Sequence, residues 1–175
     1  MMKDTFIEVL FESDAWATRL ALKSCCELSQ VQFKQQLGLG HGSIEQTATH
    51  LVQALFYFTA RLNRQRPNRA ADWPRRALTP EEMLAVFEAA NDAFQQALAR
   101  TVEVHDMDDV LNWTDTDEGP VDPSNQVAYA VALAQMIDHS LHHRAQISDM
   151  LRLVGMQPKI EGHPFEWDEY VRGAE

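Results

Sequence analysis

The chain has 175 residues, 45% of them hydrophobic and 23% charged, so it holds enough apolar material to bury a core and fits neither a disordered nor a fibrous composition. Its 15 Lys and Arg against 26 Asp and Glu give a formal net charge of -11, which repels phosphate backbones and argues against nucleic acid as a partner. The basic residues between Arg61 and Arg76 are spread through Pro- and Asn-containing sequence and read as a solvated face. Cys25 and Cys26 are neighbours, which in a helix cannot reach disulfide geometry, and this suits a reducing cytoplasm. No leader-like segment and no apolar run of about 18 residues is present, so neither export nor a membrane span is expected.

Four segments show helical spacing and none shows the alternating β-branched pattern of a sheet, so the expected fold is all-α, one domain over residues 1–175. The first helix is expected over about residues 3–28, with Phe6, Leu10, Ala17, Leu20 and Leu22 among its apolar positions. The second starts after the glycines between Gly38 and Gly42, where Ser43 and Gln46 have the spacing of a capping box, and should run to about Asn63. For the third, Thr79, Pro80, Glu81 and Glu82 supply a hydroxyl cap, a proline at the first helical position and acids against the positive end of the helix dipole. That helix should reach about Val104. Residues 105–124 turn acidic and Pro/Gly-containing and read as a long connection before the last helix. The fourth helix is expected from Ser124 or Asn125 to Val154, stopped by Gly155 with Pro158 beyond. The remainder, with Trp167 and Tyr170 among acids, reads as a packed tail or a short extra helix. The architecture expected is thus a four-helix bundle with a long loop before its last long helix.

The seven histidines separate by the faces they occupy. At about 100° per residue, His139 and His143 lie about 40° apart on the fourth helix, one turn above the other. Ala132, Met136, Ile147, Met150 and Val154 share that face, so both rings point toward the apolar interior, where imidazoles need partners. His142 falls on another side with Asp138 and Asp149 and reads as solvated. His50 sits inside the second helix with Ala54 and Tyr57 and is the natural third member of a metal site. A buried histidine satisfied by neighbours is the plainer alternative for each ring taken singly. His41, His105 and His163 lie in loops or the tail and receive no role. The acidic run Asp115, Asp117, Glu118 lacks the glycine and final glutamate of a calcium loop.

The chain resembles the DinB/YfiT-like family of metal-binding four-helix proteins, which includes metal-dependent hydrolases and thiol-dependent transferases. The resemblance rests on Asp14-Ala-Trp16-Ala-Thr18-Arg19-Leu20, on Ser43-Ile-Glu-Gln46-Thr-Ala-Thr-His50-Leu51-Val52, and on His139-Ser-Leu-His142-His143-Arg144-Ala-Gln146-Ile147. The closing Leu151-Arg152-Leu-Val-Gly155 followed by Pro158 also matches the end of the family's last helix. One histidine from the second helix and two, four apart, from the last fall on His50, His139 and His143. Thr18 stands where such proteins often carry asparagine, and Gln53 where an acid often follows the helix-two histidine.

Three neutral imidazoles leave a coordination position for water or substrate, the arrangement of a catalytic site, and nitrogen ligation suits zinc or nickel. The expected protein is therefore a metal-dependent enzyme, a hydrolase or a thiol S-transferase using a low-molecular-weight thiol, acting on a small molecule. It is expected to be a cytoplasmic homodimer with no nucleic-acid or membrane partner. No carboxylate of the second or fourth helix clearly shares the histidine face; Gln146, within about 20° of His139, is placed to orient a ligand, and loop residues such as Trp113, Asp115 or Asp117 are candidates to complete the site. The competing readings are a non-catalytic metal- or ligand-binding stress module and a metal-free helical interaction protein.

Overall fold

The computed structural model describes residues 6–65, 73–74, 76–112, 126–158 and 162–173. Among these residues it is mostly helical, with helices α1 (Phe6–Cys25), α2 (Gln30–Lys34), α3 (Ile44–Leu62), α4 (Pro80–Val104), α5 (Tyr129–Leu153) and α6 (Pro164–Arg172). Two short strands, β1 (Val110–Asn112) and β2 (Gln126–Ala128), precede α5. The helix α1 packs on α4 and α5, and α3 packs on α4 and α5 in turn.

The helix starts follow local chemistry. Thr79 accepts from the Glu82 amide at 3.2 Å while the Glu82 carboxylate accepts from the Thr79 amide at 2.9 Å, a complete reciprocal cap for α4. Arg76 grips the same carboxylate through both terminal nitrogens. At α3 only half of the expected box forms: Ser43 Oγ accepts from the Gln46 amide at 3.1 Å, and Gln46 Oε1 turns to the Ser43 hydroxyl and to Gln36 Nε2. The five-residue α2 was not anticipated, although Ser29 and Gln32 carry the capping-box spacing and form the box in full. It buries Phe33 completely.

Several boundaries differ from the sequence expectation. The first helix ends at Cys25 and not at Leu28, and Phe6 is 77% exposed instead of facing the core; its expected start at residue 3 falls outside the described residues. The expectation of no strand is overturned by the antiparallel pairing Val110↔Ala128, Leu111↔Val127 and Asn112↔Gln126. Three-residue strands are too short for alternation to be read. The pairing also moves the start of α5 from Ser124 or Asn125 to Tyr129. Its first amides are satisfied from across the pair, Tyr129 N–H by the Asp109 carbonyl at 3.0 Å and Ala130 N–H by that of Met107 at 2.9 Å, so no side-chain cap is required. Trp113, Asp115, Asp117 and Glu118 lie outside the described residues.

The end of α5 is as expected. Gly155 adopts φ +86°, its amide donates to Arg152 O at 3.1 Å and the Met156 amide to Leu151 O at 2.9 Å, which is the paired bonding of a Schellman stop. Beyond it α6 lies along α1, with the Tyr170 ring 5.8 Å from buried Trp16. The core between the long helices is built on Phe11, Leu22, Val52, Phe87, Phe94, Ile147 and Met150, with Phe11 and Phe94 rings 5.3 Å apart.

Candidate metal centre

Packing of α3 against α5 brings the three expected histidines together. His50 Nε2 and His139 Nε2 face each other at 2.9 Å. The His143 ring centroid lies 4.4 Å from that of His139 and 4.7 Å from that of His50. The cause is the one read from spacing: His139 and His143 stand one turn apart on the buried stripe of α5, with Ala132, Met136, Ile147 and Met150 sealed beneath them. His142, as expected from its position, is exposed.

A fourth ring joins them. His41, from the loop before α3, lies 4.0 Å from His50 and 5.3 Å from His143 between centroids. Among the described residues, the group whose donor atoms all lie within 4.8 Å of one another is His41, His50 and His143, so the structure puts His41 in the place where the sequence expected His139. His41 has no role in the reading of the sequence because its position depends on how the glycine loop turns, and no periodicity reports that.

Two of the rings, His139 and His143, are held toward the neutral form. His139 is pushed down to about 4, first by burial and then by the positive charge that His143, His50, His142 and His41 would carry. His143 is lowered by burial as well, partly opposed by its bond to Gln146. Neutral imidazoles present lone pairs, which is the form a metal ion requires. Gln146 Oε1 lies 2.8 Å from His143 Nδ1, so His143 donates there and keeps Nε2 for a ligand, while Gln146 Nε2 lies 2.8 Å from His142 Nε2. Gln146, expected to orient a ligand, contacts the His143 ring.

Behind the histidines a buried polar cluster ties α5 to α1. Arg144 Nη1 contacts the Asp14 carboxylate, donates to Ser140 Oγ at 2.6 Å and reaches Thr18 Oγ1 at 3.1 Å. Burial raises the Asp14 carboxyl despite the attraction of Arg144. Thr18, where related proteins often carry asparagine, therefore has its own use as an acceptor for the guanidinium. A cavity of about 20 Å³, lined in part by Asp14, Thr18, Asn91, His139 and Ser140, connects this cluster with the back of His139. It is large enough for one water molecule.

A mostly helical chain with imidazoles converging from two helices and a loop defines a class of helical histidine-cluster proteins. The chain belongs to the DinB family, whose sequence pattern matches residues 1–169. No curated protein matches it closely enough to count as a relative. Among the described residues no helix is long and apolar enough to cross a membrane.

Proposed function

We propose that this DinB-family chain is a metal-dependent enzyme, a hydrolase or a thiol S-transferase acting on a small molecule, with His50, His139 and His143 as the metal ligands borne by its helices. The observation that carries the reading is the meeting of His50 Nε2 and His139 Nε2 at 2.9 Å beside His143, with burial lowering the proton affinity of His139 and His143. Two imidazole nitrogens facing each other can share one proton at most, and His50 and His139 would both turn a lone pair to a bound cation. The donor set fits zinc or nickel. When bound, such an ion acidifies a water or holds a thiol as thiolate.

The chain's own residues do the positioning. Gln146 fixes the tautomer of His143, and Arg144, clamped by Asp14 and Ser140, locks α5 in register against α1 so that the His139 and His143 rings keep their aim at His50. A homodimeric, cytoplasmic state is part of the same proposal; the pairwise packing of α1, α3, α4 and α5 supports a one-domain four-helix bundle, and the net charge of -11 disfavours nucleic acid and anionic membranes as partners.

One observation favours a second, non-catalytic reading: the described partners of His139 and His143 are a histidine and an amide, with no carboxylate to serve as base. In that case the ion stabilises the helices. Elemental mass spectrometry of untagged protein purified without chelators tests both readings. Near-stoichiometric zinc or nickel that disappears in the His139→Ala/His143→Ala double variant supports the site and justifies screening hydrolysis and thiol-transfer substrates. Absence of metal after incubation with each ion overturns it.

A further inference from the structure

The loop over the histidines is built, not merely draped. Gly38, Gly40 and Gly42 take φ of +67°, +57° and +104°, a left-handed run open to glycine. The turn closes by Leu37 N–H to Gly42 O at 2.7 Å and Gly42 N–H to Leu39 O at 2.9 Å. The His41 amide donates to Thr47 Oγ1 at 3.0 Å, and the fully buried Thr47 hydroxyl donates to Ser43 O at 2.9 Å. Gly40 has a second constraint: a Cβ there would stand 2.6 Å from Thr47 Oγ1 and 3.1 Å from Gln146 Oε1. The loop backbone is therefore pressed against Gln146, the amide that holds His143, and its own ionisable side chain is delivered onto His50 and His143.

An exposed histidine on a glycine loop has every freedom to turn its ring into water. This ring lies over two imidazoles, with its donor atom inside the cluster formed with His50 and His143. We propose that His41 is a fourth, displaceable metal ligand, so that the site is closed by imidazole at rest and opens to an exogenous anion or thiol when the 38–42 loop lifts. The inference rests on the metal site proposed above and adds to it the element that controls access. Three ligands come from helices and stay; the fourth comes from a short loop that closes on itself by two backbone hydrogen bonds and is tied to α3 at its His41 amide by the Thr47 hydroxyl, so it can leave at lower cost without unwinding a helix. The incoming donor is a thiolate or small anion, because it must replace a nitrogen ligand at a cationic centre.

Cobalt substitution of the full chain tests this by visible absorption, azide titration and cobalt affinity, in the wild type, His41→Ala, Gly40→Ala and the His139→Ala/His143→Ala double variant, with circular dichroism to follow helix content. His41→Ala is expected to keep its helices and still bind cobalt, but roughly tenfold or more weakly, with a changed spectrum and tighter azide binding than the wild type. Gly40→Ala, which forces the loop off Thr47, shifts the same readouts in the same direction. If cobalt binds the wild type and is lost in the double variant, yet His41→Ala matches the wild type in spectrum, affinity and azide response, the loop ligand is overturned and the helix-borne site stands. If the wild type binds no cobalt, both fall.

Discussion

Gln146 shows how a single side chain outside the ligand set controls the site. Its Oε1 accepts a hydrogen bond from His143 Nδ1 at 2.8 Å, and without that acceptor the ring is free to flip or change tautomer. Gln146→Ala is expected to weaken zinc binding roughly 10–100-fold with little change in metal-free stability, and Gln146→Glu, which keeps an acceptor, to retain most of the affinity. Chelator competition measures both. Asp14 is the stability counterpart. Asp14→Ala strands the buried Arg144 guanidinium and should cost about 3–5 kcal/mol in urea unfolding, whereas Asp14→Leu/Arg144→Met, which removes both charges, recovers much of that loss. His139 and His143 were legible because spacing of four on one helix fixes their relation, and His50 because an apolar helix face makes an imidazole conspicuous. His41 and Asp14 were not, since one depends on loop turns and the other on which face of α1 meets α5.

Helix ends carry the readable part of the fold. Thr79, Pro80, Glu81 and Glu82 marked the start of α4 to within a residue because its cap is made by side chains local in sequence, which the structure completes as a reciprocal Thr79–Glu82 box. The start of α5 was misplaced because its amides are satisfied by Met107 and Asp109 carbonyls, some twenty residues upstream in the chain and invisible to a local reading. The Ser29/Gln32 box was local and equally readable, but it opens a helix of five residues, too short to show periodicity. Two substitutions test the weight of such ends. Thr79→Ala removes the hydroxyl cap of α4 and should cost about 1 kcal/mol. Gly155→Ala should also cost about 1 kcal/mol, through backbone strain alone, because a Cβ at this residue with φ +86° meets nothing within 4 Å. Urea denaturation of each variant, with unchanged slope, checks that these are losses of native stability and not changes in the unfolded chain.

For the whole molecule the histidine cluster couples folding to acidity. In the metal-free protein His139 titrates near 4 instead of its ordinary 6.5, and His143 is lowered in the same sense. The unfolded chain therefore binds protons that the folded chain refuses, so their contribution is complete above pH 6.5 and is lost as pH falls toward 4. Asp14 works in the other direction, since its raised carboxyl takes a proton in the folded chain before it would in the unfolded one, and it blunts the loss at the acid end. Melting temperature of chelated protein is accordingly expected to hold at neutral pH and to fall through the window between 6.5 and 4, with a shallower fall in His139→Phe. Zinc adds a second, independent signature. It raises the melting temperature at neutral pH by binding only the folded state, and because protons compete for the same lone pairs, the increment shrinks over the same window. A melting temperature that stays flat to pH 4 without metal would show that the rings are solvated; a zinc increment that is insensitive to acid would place the ion on carboxylates and not on histidines.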